Sequence, residues 1–308
     1  MSKTYIIAEV GPNHNGSLKM ALKYVDELSN IGVDAIKFQL ADPKKLFSKN
    51  SKFAKYQIKN SKYKNPKEMI KKTQLSKSDH LRIYNYCNKK NIQYLCTAFD
   101  LESLKFLNKN FNLSFFKIAS GEIFSLDMLD YISKFKKKII LSSGMASFDE
   151  INQCIKILNK NFKKQITILH CISSYPVKIE NVNLNVMSKL HKKFNYPVGF
   201  SDHTKDILSS IVAVSMGATI IEKHVTFSRG LEGPDHKASS TISEFKKLVK
   251  EIRKIDLIKG SDKNIISDEE KEIANVSRKS IVANKTLYEK HIIKNSDITF
   301  KRPGTGIL

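Results

Sequence analysis

A (β/α)8 barrel is the fold class this sequence predicts, and three observations lead to it. Short apolar runs of strand length recur eight times, amphipathic stretches separate them, and almost every run carries a polar residue at or just beyond its carboxyl end. The eight runs and their spacers occupy roughly 230 residues, the size of such a barrel. A doubly wound sheet is the competing architecture, but it calls for a glycine-rich phosphate turn after its first strand. Here the first run leads instead into Glu9-Val10-Gly11-Pro12-Asn13-His14-Asn15-Gly16.

The runs in chain order are Tyr5-Ile6-Ile7-Ala8, Ala35-Ile36-Lys37-Phe38, Tyr94-Leu95-Cys96, Phe115-Phe116-Lys117-Ile118, Ile139-Ile140-Leu141, Ile166-Thr167-Ile168-Leu169, Pro197-Val198-Gly199-Phe200 and Thr219-Ile220-Ile221. Continuous apolar runs suit parallel strands that are covered on both faces. Between them, 18–31, 77–90, 101–108, 148–159 and 206–216 place apolar residues three and four apart, the spacing of a helix with one buried face. A further helix near 242–255 follows the eighth run, a polar stretch at 259–275 reads as a linker, and two short β-like pieces lie in 278–308. The expected division is a barrel over 1–255, a linker over 256–277 and a small β-type segment over 278–308, too short to enclose a core of its own.

Composition narrows the function classes. With 41% hydrophobic and 27% charged residues among 308, the chain can bury a sizeable core, which excludes general disorder. No apolar run approaches the roughly 18 residues that span a bilayer, and the start of the chain lacks a signal-peptide pattern, so no membrane partner and a cytoplasmic location are expected. The four cysteines show no metal-type spacing and read as reduced structural thiols. The formal net charge of +23 invites a nucleic-acid reading. Only five basic residues are arginine, however, and the lysines are spread over nearly every polar face, so no nucleic-acid partner is expected.

In a closed barrel the carboxyl ends of all strands converge on one face, and the polar residues there line one pocket. His203 and His224, near the ends of the seventh and eighth runs, are candidate ligands for a shared divalent metal completed by water and substrate oxygens. Asp202 and Glu222 would orient them, and two hydrogen-bonded barrel histidines are the plainer reading. Lys37 and Lys117 lie inside apolar runs, where an ammonium needs a partner. A bound anion is the simplest, with Thr97, Ser120, Ser142 and Ser201 adding hydroxyls; a carboxylate such as Glu9, or Schiff-base chemistry, is the alternative. Glu9, Glu122 and Asp235 are placed for proton transfer or for gripping sugar hydroxyls, with Asn13 and His14 of similar standing. His80, His191 and His291 read as bystanders in solvated contexts.

These residues sit in a series of motifs: Ile7-Ala8-Glu9-Val10-Gly11, Asn13-His14-Asn15-Gly16, Ile36-Lys37-Phe38-Gln39, Thr97-Ala98-Phe99-Asp100, Lys117-Ile118-Ala119-Ser120-Gly121-Glu122, Leu141-Ser142-Ser143-Gly144-Met145, Ser201-Asp202-His203-Thr204, Glu222-Lys223-His224 and Glu232-Gly233-Pro234-Asp235-His236-Lys237. In that order they resemble the bacterial sialic acid synthases. The segment from Arg278-Lys279-Ser280 to Lys301-Arg302-Pro303-Gly304 is similar to the start of that family's antifreeze-like (SAF) domain, which there runs some tens of residues further, so a truncated SAF domain is the expectation.

The resemblance implies condensation of phosphoenolpyruvate with N-acetylmannosamine or a close analogue, giving a nine-carbon 2-keto acid and phosphate. It implies catalytic roles for Glu9, Lys37 and Lys117. Thr97, Ser120, Ser142 and Ser201 match positions that hold phosphoenolpyruvate, whereas Gln39, Glu122, Tyr175 and Asp235 match positions near the sugar. Ser173, just before Tyr175, falls where members differ with the sugar's substituents, and Arg302 matches an arginine that reaches the partner's site in a homodimer. The implied metal, on His203 and His224, is Mn2+, with Mg2+ or Co2+ as substitutes. The same chemistry on 2,4-diacetamido-2,4,6-trideoxymannose, giving legionaminic acid, is the second reading, and a non-catalytic sugar-binding paralogue is the third.

Overall fold

The structure is a computed structural model that describes residues 3–53, 58 and 63–307. Eight parallel strands among these residues pair each with the next: β1 (Tyr5–Glu9), β2 (Ala35–Leu40), β3 (Gln93–Ala98), β4 (Phe115–Ile118), β5 (Lys138–Ser142), β6 (Ile166–Cys171), β7 (Val198–Asp202) and β8 (Ile220–Thr226). The ring closes because β8 also pairs with β1, with Glu9 opposite His224. This is the (β/α)8 barrel expected from the eight runs.

The helices pack around the ring with apolar faces inward. In α1 (Leu18–Asn30) the Ser17 hydroxyl caps the start by accepting the Met20 N–H, and Ala21, Tyr24, Val25 and Leu28 form the buried stripe. Burying one such aliphatic side chain contributes about 1.5–3 kcal/mol. A short helix α2 (Pro43–Leu46) is followed by α3 (Pro66–Thr73) and α4 (Lys77–Lys89), and α4 opens on a Ser76/Asp79 capping box. His80, read from sequence as a solvated bystander, is buried in α4, with its Nδ1 2.7 Å from the Tyr94 hydroxyl. The reason is helical phase, because His80 falls on the same face as the buried Ile83 and Cys87.

Two apolar layers result. Ile7, Ala35, Leu95, Ile140, Leu169 and Ile220 fill the barrel interior. A larger cluster, including Ile36, Phe38, Ile168 and Phe200 from the outward faces of the strands, lies between sheet and helices. The last helix of this unit, α5 (Ile242–Lys259), runs through to the boundary at Lys259.

Residues 260–308 form a second compact unit. Within the stretch read as a linker, Asp268–Ser277 is helical, because Ser267 and Glu270 form a capping box and Asp268, Glu269 and Glu270 place negative charge at its start. Two antiparallel strands, Ser280–Ala283 and Ile298–Lys301, complete the unit. Asp297 is buried at their foot, with Lys285 2.6 Å and His291 2.7 Å away. No helix among the described residues is long and apolar enough to cross a membrane.

Candidate active site

Side chains alternate along a strand, so stepping two residues from the interior apolar layer gives the next inward layer. From Ile7, Ala35, Leu95, Phe115, Ile140, Leu169, Gly199 and Ile220, that step lands on Glu9, Lys37, Thr97, Lys117, Ser142, Cys171, Ser201 and Glu222. A second step reaches Gly11, Gln39, Phe99, Gly144, Ser173, His203 and His224. The barrel therefore stacks a polar layer directly on its apolar floor, and all of these residues except Gly11 and Gly144 line a cavity of about 200 Å³.

The polar layer pairs its own charges. Lys37 Nζ lies 2.7 Å from Glu9 Oε2 and 3.6 Å from Glu222 Oε2, and it donates to Thr97 Oγ1 at 2.9 Å. Lys117 Nζ lies 3.7 Å from Glu222 Oε1 and donates to Ser142 Oγ at 2.8 Å. The two buried lysines thus have carboxylate partners within the protein. Glu222, expected to orient the histidines, faces the barrel interior and neutralises the lysines instead, while accepting from Ser201 Oγ at 3.0 Å. Burial works against its charge, but Lys117 and Lys37 outweigh it and hold the carboxyl down at about 2. Burial raises Glu9, because it has only one close ammonium and Glu222 nearby. Burial with Lys37 nearby lowers Lys117.

Above this layer the His203 and His224 rings lie 5.6 Å apart, and the Tyr175 ring packs against His203 at 4.1 Å, tilted by 32°. His203 Nδ1 donates to the Ile172 carbonyl at 2.8 Å, which leaves Nε2 for a ligand. His224 Nδ1 is buried without a hydrogen-bond partner, 3.8 Å from Asp235 Oδ2. Burial pushes His224 well below the ordinary histidine range and Asp235 up to about 7, the charge of Glu9 adding to the latter. Among the described residues no group of three or more His, Cys, Asp or Glu is arranged to hold a metal. The donor set therefore fits a cation only as two imidazole nitrogens completed by oxygen ligands from outside the protein.

Asp202 and Lys223 point the other way, toward the helices. They form an ion pair of 2.9 Å, with side chains at most 1% exposed, directly behind the two histidine-bearing strand ends. Asp202 thus lies on the helix side of its strand, one residue out of phase with Ser201 and His203.

Of the other expected residues, Gln39 donates to Glu9 Oε1 at 2.7 Å, and Ser120 accepts the Gly144 N–H at 3.1 Å. Gln39, Tyr175, Asp235 and His224 also line a second cavity of about 240 Å³ that continues past the histidines to Met69, Ile70 and Gln74. Glu122 joins neither cavity. Its carboxylate accepts from Ser125 and lines a separate space of about 520 Å³ with Lys45, Asp100 and Glu102. Arg302 is an exposed residue of the second unit. Cys171, read from sequence only as a structural thiol, belongs to the polar layer, 3.9 Å from His203 Nδ1 and 3.6 Å from Ser120 Oγ.

Comparison with known proteins identifies the family. Residues 24–264 match the NeuB family profile. The chain is 42% identical, over all of its length and 92% of the relative, to an N,N'-diacetyllegionaminic acid synthase of Campylobacter jejuni. It is 31% identical to the human N-acetylneuraminate-9-phosphate synthase, over 96% of this chain and 82% of that one. A crystal structure of an N-acetylneuraminic acid synthetase from Leptospira borgpetersenii superposes with a TM-score of 0.79 at 34% identity, covering 88% of this chain and 90% of that one. The chain therefore belongs to the NeuB family of phosphoenolpyruvate-dependent sugar-acid synthases.

Proposed function

We propose that this protein condenses phosphoenolpyruvate with an N-acylated mannose-type sugar, N-acetylmannosamine or a close analogue, to give a nine-carbon 2-keto acid and phosphate. The observation that carries the reading is the polar layer, where two ammonium groups and the Thr97, Ser142 and Ser201 hydroxyls converge on one small cavity beneath two histidines. Ammonium and hydroxyl donors suit the phosphate and carboxylate of phosphoenolpyruvate. In this proposal Lys37, Lys117, Thr97, Ser120, Ser142 and Ser201 hold that substrate, while Gln39, Tyr175 and Asp235 hold the sugar. Ser173, on the cavity wall, and Glu122, which lines the separate neighbouring space, are further sugar-side candidates.

His203 and His224 would hold a divalent cation, Mn2+ with Mg2+ or Co2+ as substitutes, which when bound supplies Lewis-acid polarisation of the sugar aldehyde. The methylene carbon of phosphoenolpyruvate attacks the aldehyde carbon, forming the new carbon–carbon bond. Water adds to the adjacent cationic carbon and its proton passes to Glu9, which returns it to the alkoxide left on the former aldehyde oxygen; burial raises the Glu9 carboxyl, which favours its service as a base. The tetrahedral carbon then expels phosphate by carbon–oxygen cleavage.

The 42% and 37% identical relatives named N,N'-diacetyllegionaminic acid synthase favour 2,4-diacetamido-2,4,6-trideoxymannose as the analogue. Homodimer formation, with Arg302 serving the partner subunit's site, belongs to the same proposal; sedimentation and an Arg302→Ala variant test it. The central experiment measures phosphate release with phosphoenolpyruvate, metal and each sugar. His203→Ala or His224→Ala should abolish release while the circular dichroism spectrum stays that of the folded barrel. Undiminished turnover after exhaustive chelation would refute the metal role. Tight sugar binding without phosphate release would favour the non-catalytic reading.

A further inference from the structure

The Asn13-His14-Asn15-Gly16 motif after β1 takes no direct part in the condensation, yet its two amides reach across to the loop that carries Asp235. Asn13 is fully buried, and its Nδ2 donates to the Val225 carbonyl at 2.8 Å and to Ser239 Oγ at 2.9 Å. A carbonyl only accepts, so the NH2 half of the amide faces Val225, and the same nitrogen is the donor to Ser239. Ser239 Oγ has a single proton, which it gives to the Asp235 carbonyl at 2.7 Å. Every bond in this relay therefore has a fixed direction, from Asn13 through Ser239 to the backbone of Asp235. Asn13 Oδ1 is buried with no hydrogen-bond partner among the described residues, so the side chain is tied in by its donor half.

What the relay connects matters more than its burial. Val225 directly follows His224 on β8, and Asp235 lies beyond the following turn, with its Oδ2 3.8 Å from His224 Nδ1. One amide thus grips the strand beside the imidazole and, through Ser239, the backbone beside the carboxylate. Asn15 holds the same loop further out, where its Nδ2 donates to the Glu232 carbonyl at 2.9 Å. Its φ of 49° lies in the left-handed region that asparagine tolerates, and a Cβ on Gly233 would come 2.9 Å from its Oδ1. The motif is itself fixed, because the Asn13 and Asn15 N–H groups donate to the Val10 and Pro12 carbonyls at 3.0 and 2.8 Å.

We infer that Asn13 and Ser239 are positioning residues that set where the Asp235 carboxylate stands relative to His224. The inference rests on the reading above in which Asp235 holds the sugar, and neither residue needs to touch a substrate. Cutting the relay releases the Asp235 backbone, and a carboxylate displaced by about 1 Å loses most of its hold on the sugar's orientation. The anion site built on Lys37 and Lys117 belongs to β2 and β4 and keeps its own hydrogen bonds.

The test measures phosphate release and both Michaelis constants for the wild type, Ser239→Ala, Asn13→Ala and the double variant, with Asp235→Ala as reference. The sugar is whichever of N-acetylmannosamine and 2,4-diacetamido-2,4,6-trideoxymannose the wild type uses better, and two different single variants serve should one fold poorly. Each should raise KM for the sugar about tenfold and leave KM for phosphoenolpyruvate within about twofold. The double variant should be no worse than the worse single, since both changes cut one chain of hydrogen bonds. A fall in kcat with both constants unmoved, the mark of a merely destabilised fold, overturns the positioning role, as do additive effects in the double variant. A sugar KM unmoved by Asp235→Ala overturns both the sugar-side role of Asp235 and the relay. If the wild type releases no phosphate, the condensing reaction falls and calorimetric binding of the two sugars decides the relay. About tenfold weaker binding in Ser239→Ala then supports it, and unchanged binding, or none in the wild type, overturns it.

Discussion

Replacing Lys223 by Met and Asp202 by Leu, singly and together, probes the buried pair behind the two histidines. Breaking a buried ion pair by removing one partner costs about 3–5 kcal/mol, since the remaining charge is stranded. The structure ranks the two single changes. Without Lys223, Asp202 keeps three donors, the Thr204 N–H at 2.8 Å, the Thr204 hydroxyl at 2.7 Å and the Ser210 hydroxyl at 2.6 Å. Without Asp202, the Lys223 ammonium keeps the Thr204 carbonyl at 2.7 Å and a long contact to its hydroxyl at 3.5 Å. Lys223→Met should therefore sit near ~3 kcal/mol and Asp202→Leu near ~5 kcal/mol. With each kcal/mol moving Tm by about 2–4 °C in a domain of this size, the drops are roughly 6–12 and 10–20 °C. The double variant strands no charge and leaves only neutral groups short of partners, at about 1–2 kcal/mol. Thermal unfolding of all four proteins gives the coupling directly. A Lys223→Met protein within about 1 kcal/mol of wild type, or a double variant as unstable as the sum of the singles, would refute the reasoning.

Two further outcomes follow from the same packing. His14 and His80 are held neutral by burial, down at about 3 and about 4, whereas both return to about 6.5 on unfolding, so the unfolded chain binds more protons below that pH. Their stabilisation is complete above pH 6.5 and falls as the pH drops, by about 2 kcal/mol each at pH 5. Urea midpoints at pH 7 and 5 measure it, and His80→Asn should remove only the His80 share, about 2 kcal/mol, because His236, His224 and His170 are lowered by burial as well, while identical wild-type midpoints would count against the burial argument. Gly144→Ala would set a Cβ 2.4 Å from Ser173 Oγ and 2.7 Å from Ser120 Oγ, displacing both from the cavity wall. A shift of about 1 Å in a positioning group costs up to ~100-fold in kcat/KM, and unchanged kinetics would show that the rim accommodates the methyl.

The barrel was legible in the sequence because parallel strands under helices are buried on both faces and read as unbroken apolar runs. Lys37 and Lys117 stood out because they interrupt such runs. Glu9 was named as a carboxylate partner and does meet Lys37, but Glu222 was not, since which carboxylate meets which ammonium depends on how strands far apart in sequence close around the ring. Glu222 and Asp202 were read as equivalent, although alternation sends one inward and the other toward the helices. The same count by two, started from Leu169, would have put Cys171 in the polar layer; its reading as a structural thiol hid it.

The polar layer has one more consequence. Its two lysines and two carboxylates cancel, so the chamber is itself close to neutral, while the chain as a whole carries +23. Long-range attraction thus comes from the dispersed surface lysines, a field that salt screens within about 8–10 Å and that mainly sets encounter rate. For the anion proposed above, retention would come from short hydrogen bonds shielded from that screening, so the surface would govern how fast it arrives and the chamber whether it stays.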